Sequence, residues 1–294
     1  TPGQLAGLLV ADVVPRLSAA AHAPILLFQL PRISPRGQVT GELLRGLARE
    51  LAREPTWRLG WIDRPPPPAE GDPATAVARV VDTGAGGSDF IRPTMDRVGG
   101  TGIAATTIGS LTWGPPEVHG PALLRVAARS MLLDRRAADP YGWTHCLTLP
   151  QAVLGVAGHL TDATLALRVA ATHVLGFRAS LGDRAVDGEL DPASLPDPGV
   201  AVEEALEMGP GEAAGAVAHS GRDAGELAAV LATRASVRHD AHQVKYTLAC
   251  LDAAAADPAH ARLFLAASAH LIGWWSAHGD PGDPLGADDQ LVAA

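Results

Sequence analysis

The sequence predicts an all-α fold: a single large, bundle-like helical domain over residues 1–278 with long Pro/Gly-rich surface loops, and a loosely ordered tail over 279–294. Three observations carry this reading. Ala, Leu and Val dominate a hydrophobic fraction of 47%, while aromatic residues make up only 4%, a balance that favours helices over sheets. Apolar residues recur at helical spacing along most of the chain. No run of β-branched residues is long enough for a sheet, and no internal repeat is present.

The elements follow in order. Residues 3–13 form a first helix ended by Pro15, and a second apolar segment runs from Ala19 to Leu30. It contains His22-Ala23-Pro24. Proline suits a first helical turn, where its missing N–H needs no partner, so His22 falls near a helix N-terminus. Thr40 fits an N-cap for a helix striped by Leu43, Leu44, Leu47 and Leu51. After Trp57 and Trp61, Arg64-Pro65-Pro66-Pro67-Pro68 reads as a surface connection, and a short helical pattern resumes over Ala74–Val81. Residues 83–102 are glycine-rich, match neither the dinucleotide fingerprint nor the P-loop, and read as a plain loop.

From His119 a helix carries Leu123, Leu124, Ala127, Met131 and Leu132 on one face. Ala138-Asp139-Pro140 breaks it. Tyr141 to Ala152 then enters a largely apolar helix holding His145 and Cys146, with a kink expected at Pro150. Thr161-Asp162 caps a further helix with His173 near its middle. Residues 181–200 are an acidic exposed loop, followed by two shorter helices. A long alanine-rich helical region begins near Asp223, leads into Arg238–Leu251 and ends at Pro258. The last amphipathic helix carries Trp274 and Trp275.

Charge and cysteine content narrow the function classes. The chain has 23 Lys+Arg against 32 Asp+Glu, a formal net charge of −9, and the basic residues are scattered. Nucleic acid and anionic membranes are therefore not expected partners. No apolar run reaches the length of a membrane span, and no signal-peptide pattern opens the sequence. Cys146 and Cys250 are too few for a disulfide scaffold, and a reducing cytoplasm is the expected location.

The chemistry concentrates in Arg238–Leu251, which lacks Pro and Gly and is expected to be helical throughout. Helical spacing places His242 beside Lys245 and Tyr246, with His239 a turn back. His22, His119, His145, His173, His239 and His242 all fall at helix starts or within apolar helices. A single such histidine is more often a satisfied core residue than a ligand. Several converging in one core is the pattern of a metal site in a helical bundle, because buried imidazoles require partners. HExxH, CxxC, Glu-x-x-His and nucleophile-elbow motifs are absent.

The run His242-Gln243-Val244-Lys245-Tyr246-Thr247-Leu248-Ala249-Cys250 resembles the C-terminal His-x-x-Lys-x-Thr-x-Ala-Cys signature of the questin oxidase-like family. Gly142-Trp143-Thr144-His145 is similar to its central histidine motif. His119-Gly120 followed by Leu124-Arg125 resembles its His-Gly segment, and His22-Ala23-Pro24 its N-terminal histidine. The resemblance implies a helical, iron-dependent oxygenase acting on anthraquinone-type polyketides, with Fe(II) held by four histidines and a lysine carboxylated by carbon dioxide. The implied metal ligands are His22, His119, His145, His242 and Lys245, with molecular oxygen as co-substrate. Tyr141 departs from the pattern by standing where some relatives have another histidine, and the His119 segment is shifted in spacing. His173 and His239 are the alternative donors.

The donor chemistry is coherent. A lysine reacts with carbon dioxide only as the neutral amine, which burial favours. The carbamate oxygen then joins imidazole nitrogens in a mixed N,O set suited to Fe(II). Lys245, His242 and Tyr246 are the catalytic candidates; Trp143, Tyr246 and Trp274 are candidates for stacking a small aromatic substrate. The expected reaction is oxidative carbon–carbon (ring) cleavage or Baeyer–Villiger-type oxidation of a polycyclic aromatic polyketide. Two other readings stand beside it. His239-Asp240, with Asp252 or Asp257, resembles the dyad of HD-type metal-dependent phosphohydrolases. A non-catalytic helical small-molecule binder requires no metal.

Overall fold

The computed structural model describes residues 2–16, 21–33, 38–53, 58–63, 70–82, 88, 90–134, 140–237 and 240–278. Their regular structure is helical: α1 (Pro2–Val13), α2 (His22–Ile33), α3 (Gln38–Arg53), α4 (Pro73–Ala78), α5 (Ile91–Thr101), α6 (Pro116–Leu133), α7 (Tyr141–Gly155), α8 (Thr164–Leu181), α9 (Val202–Ala205), α10 (Pro210–His219), α11 (Ala224–Ser236), α12 (Ala241–Ala256) and α13 (Ala261–His278). Short 3₁₀ turns and a π-helical turn at Ala105–Gly109 join them. An isolated antiparallel β-bridge pairs Arg16 with Arg58. No described helix is long and apolar enough to cross a membrane.

The fold is organised around α7. Every residue from Tyr141 to Val153 is buried, because α2, α6, α8 and α12 pack around the helix. A helix covered on all sides must be apolar all round or satisfy its polar groups internally. α7 does both. The Thr144 hydroxyl donates to the Tyr141 carbonyl at 2.7 Å, and the Thr148 hydroxyl to the Thr144 carbonyl at 2.8 Å. α13 forms the second centre of packing, against α10, α12, α6 and α11.

α2, α7 and α12 are tied together by a polar clamp. The Arg32 guanidinium donates to both carboxylate oxygens of Asp252, with Nη2 to Oδ1 at 2.6 Å. Asp252 also accepts from Gln151 Nε2 at 3.3 Å. The guanidinium sits 5.0 Å from the centre of the Phe28 ring. That ring in turn lies on Gly155, where an added Cβ would come within 2.1 Å of it. A second ionic knot holds α8: the fully buried Arg178 pairs with Asp134, donates to the Val80 carbonyl at 3.0 Å and to Ser130 Oγ at 3.2 Å, and lies 5.9 Å from the Trp143 ring centre. Asp134 takes its other bond from the Asp183 N–H at 2.7 Å. These bonds offset much of the cost of burying the pair, although Arg178 Nε has no hydrogen-bond partner among the described residues.

Three local expectations are corrected. α3 begins at Gln38, so Thr40 lies inside its first turn rather than capping it. Part of the glycine-rich segment is helical: Ile91, Met95 and Val98 form a buried stripe on α5, and Gly102 closes the helix at φ 67°, a left-handed end that glycine adopts without a Cβ clash. The stretch from Arg238 is not one continuous helix, because Asp240 caps α12 and separates it from α11. Other expectations are met. Asp223 caps α11 through a reciprocal capping box with Glu226, and Asp162 Oδ1 accepts the Thr164 N–H at 2.9 Å. Residues 182–191 connect α8 to a 3₁₀ turn and are only partly exposed, since Val186 is buried in the core with its N–H on the Ala78 carbonyl. Trp57, the proline run, Ala138-Asp139, His239 and the tail over 279–294 lie outside the described residues.

α13 approaches α10 closely because residue 273 has no side chain. A Cβ there would lie 2.4 Å from the Gly209 carbonyl oxygen and 2.8 Å from the Ala213 Cβ. Gly273→Ala is therefore expected to destabilise the fold by about 1–3 kcal/mol. Gly221→Ala, where a Cβ meets nothing within 4 Å, should stay within about 0.5 kcal/mol of the parent. Urea denaturation of both variants checks the pair.

Candidate metal centre

Three helices deliver the candidate side chains to one place. His22 opens α2, directly after Ala21, which is fully buried and held at φ 62°. A left-handed backbone on a non-glycine residue costs roughly 1–3 kcal/mol and persists only where the surrounding packing enforces it. Here it sets the turn that leads His22 into the core. His145 comes from the buried face of α7, and its Nδ1 lies 3.2 Å from the Tyr141 carbonyl oxygen. That oxygen can only accept, so the proton sits on Nδ1 and Nε2 is left with a lone pair.

His242 lies in the first turn of α12. The Asp240 carboxylate caps this helix by accepting the His242 N–H at 2.5 Å and the Gln243 N–H at 3.1 Å. The same oxygen stands 3.4 Å from His242 Nδ1. One aspartate thus fixes the helix start and places its carboxylate beside the imidazole. Lys245 follows almost a turn later. Its Nζ is 3.1 Å from His22 Nε2 and 2.9 Å from His145 Nε2.

The ring nitrogens of His22, His145 and His242 come within 4.8 Å of one another. Ring centres are separated by 5.4 Å for His22–His145, 5.1 Å for His145–His242 and 6.5 Å for His22–His242. Tyr141 walls the cluster, with its ring centre 4.7 Å from both His145 and His242. Phe177 of α8 lies nearly parallel to His145 at 6.4 Å. His145 and His242 are buried, whereas His22 and Lys245 are partly exposed, so the cluster opens on the side of α2 and the lysine.

Electrostatics favours neutral imidazole. Burial first, and then the neighbouring Lys245, His242 and His22, hold the His145 pKa well below its ordinary value. Deprotonated imidazole is the form that binds metal. Neither ring nitrogen of His242 has a hydrogen-bond partner among the described residues, although the residue is only 1% exposed. Buried polar atoms without partners are costly, and an ion shared with His22 and His145 would supply the missing one. The donor set therefore fits a metal.

Not every expected residue is brought in. His119 stands in the first turn of α6, which packs on α4, so its ring faces Gly114 and its Nδ1 lies 3.7 Å from Asp72; it is not part of the converging group. His173 is buried in α8 with Nδ1 unpartnered among the described residues, also outside that group. His239 lies outside the described residues. Trp143 is two residues from His145, roughly 200° around the helix, and faces Arg178 instead. Trp274 stacks on His278 at 4.4 Å and meets Trp275 edge-on at 4.8 Å. The buried Tyr246 lies against Cys250 and Cys146, and burial pushes its phenol pKa up.

Tyr141, Phe177 and Asp240 form the immediate surround instead. The spacing of four between Tyr141 and His145 was the available signal for the first, and an aspartate two residues before His242 at a helix start for the last. Asp252 and Asp257 are engaged elsewhere, the former by Arg32 and the latter by Arg125 at 2.7 Å and His260 at 2.9 Å. No family model, curated protein or solved structure matches this chain.

His173 also makes stability depend on pH. Burial lowers its pKa to about 4, against roughly 6.5 in an unfolded chain. The fold therefore prefers the neutral ring, and this contribution is complete above pH 6.5 and is lost as pH falls toward 4. Between pH 7 and pH 5 it should cost on the order of 2 kcal/mol. Urea midpoints measured across this range should fall less steeply for His173→Gln than for the parent.

Proposed function

We propose that this protein is a non-haem iron-dependent oxygenase that oxidises a polycyclic aromatic polyketide such as an anthraquinone, by ring cleavage or a Baeyer–Villiger-type reaction. The observation that carries this reading is the convergence of three imidazoles from α2, α7 and α12 around Lys245. The same four residues bear the resemblance to the questin oxidase-like family, and they come from three segments that lie far apart in the sequence. In this reading His22, His145 and His242 hold Fe(II), and Lys245 adds an oxygen ligand as its carbamate. Iron bound there supplies the one-electron chemistry that activates molecular oxygen.

The chain's own residues prepare that role. Tyr141 keeps the His145 proton on Nδ1 through its carbonyl, and Asp240 caps the helix that carries His242; outer partners of this kind fix ligand orientation and raise basicity. The rings of Tyr141 and Phe177 exclude water from the buried side. At the open side Lys245 Nζ, 3.1 Å from His22 Nε2, is partly exposed, so carbon dioxide can reach the amine and the proton released on carbamate formation can pass to solvent. A cytoplasmic setting suits the two buried free thiols, Cys146 and Cys250. The phosphohydrolase reading has less support, since Asp252 and Asp257 are held by arginines.

Elemental analysis of protein purified in bicarbonate at neutral pH tests the proposal. About one iron per chain and oxygen uptake with an anthraquinone are expected, both lost in His145→Ala and Lys245→Ala. Zinc alone, no metal, or full iron and turnover in Lys245→Ala would overturn it; absence of any metal would leave the small-molecule binder.

A further inference from the structure

A second cavity lies apart from the histidine cluster. α5 and the C-terminal part of α8, with Val81 and Ile103, enclose a volume of about 200 Å³. It shares no lining residue with the cluster, and Phe177, the α8 residue facing His145, is not among its walls. Val81, Val98, Ile103 and Ala179 make much of the surface apolar.

Two donors in this cavity have no hydrogen-bond partner among the described residues: Arg97 Nη1 and Ser180 Oγ. Ser180 is only 4% exposed. Arg97 is anchored by its other nitrogen, with Nη2 3.5 Å from Asp82, which leaves Nη1 available. Thr94 and Thr101 also line the cavity, but their hydroxyls already donate to the carbonyls of Ser88 and Arg97, each at 2.8 Å. The uncommitted hydrogens thus belong to one guanidinium and one hydroxyl.

A ligand that satisfies both must offer acceptors and no donor requirement of its own. A carboxylate meets this with two oxygens, and a charged acceptor strengthens the bond from the guanidinium. At roughly 30 Å³ per water, the cavity has room for about six or seven non-hydrogen atoms. We propose that it is a binding site for a short-chain aliphatic carboxylate, with the carboxylate on Arg97 and Ser180 and the alkyl tail against Val81, Val98, Ile103 and Ala179.

Butyrate is the probe, titrated into the full chain by calorimetry and by amide chemical shifts. Binding with a dissociation constant of about a millimolar is expected. Ser180→Ala should weaken it about tenfold, and Arg97→Gln should abolish it, with the metal content unchanged in both. Butyramide, of the same shape but uncharged, should bind more weakly than butyrate. No binding by the parent at tens of millimolar, equal binding in the parent and Ser180→Ala, or butyramide matching butyrate would each overturn the proposal and leave the cavity to water. Should Arg97→Gln fail to fold, Ser180→Ala still decides, because it removes only an unpartnered hydroxyl. Metal content is read separately, so the result is independent of the oxygenase reading.

Discussion

Burying α7 on every side is the constraint from which the rest of the structure follows. A helix with no solvated face cannot discharge polar groups to water, and α7 carries Thr144, His145, Thr148 and Gln151. The threonines turn back onto their own helix, and Gln151 reaches Asp252. His145 does both, with Nδ1 tied to its own helix and Nε2 turned out toward Lys245. That outward nitrogen needs α2 and α12 in fixed positions, and the Arg32–Asp252–Gln151 clamp supplies them. Structural stability and the candidate centre therefore rest on the same three helices.

The second property of the centre is its gradient of solvent access. His145 and His242 are enclosed, while His22 and Lys245 meet the surface. On the enclosed side burial favours the neutral ring of His145, whose Nδ1 meets the Tyr141 carbonyl. The partly exposed side holds His22 and Lys245, which under the proposed reading would meet carbon dioxide, oxygen and an aromatic substrate. Preorganised ligands on rigid helices with an accessible lysine edge combine firm binding with entry.

The helices themselves were largely legible in the sequence, because apolar spacing and punctuation agreed: Pro24 placed His22 at a helix start, Asp223 announced α11 and Pro258 the end of α12. Disagreement between signals marked the failures. Gly99 and Gly100 argued for a loop, yet Ile91, Met95 and Val98 had a stripe to bury against α8, and packing outweighed propensity. The absence of Pro and Gly argues for a continuous helix through Asp240, but its carboxylate prefers to accept the N–H groups that a helix start leaves open. For the site, His22, His145, His242 and Lys245 were all identifiable as candidates. Their convergence was not derivable from spacing, since it depends on how three helices pack. Aromatic character singles out Trp143 and Trp274 but does not reveal the face a ring occupies, whereas Tyr141 sits one turn from His145 and shares its face.

The contact between Lys245 and His22 spans 223 positions of chain, and this bears on how the protein is made. At synthesis rates of roughly 5–20 residues per second, His22 leaves the ribosome some tens of seconds before its lysine partner exists. No fragment ending before α12 contains the full donor set, so a centre of the proposed composition cannot be assembled while the chain is still growing through α11. Metal loading and lysine carboxylation would then be late events, coupled to the docking of α12 onto α7, and truncated products would be unable to sequester the ion.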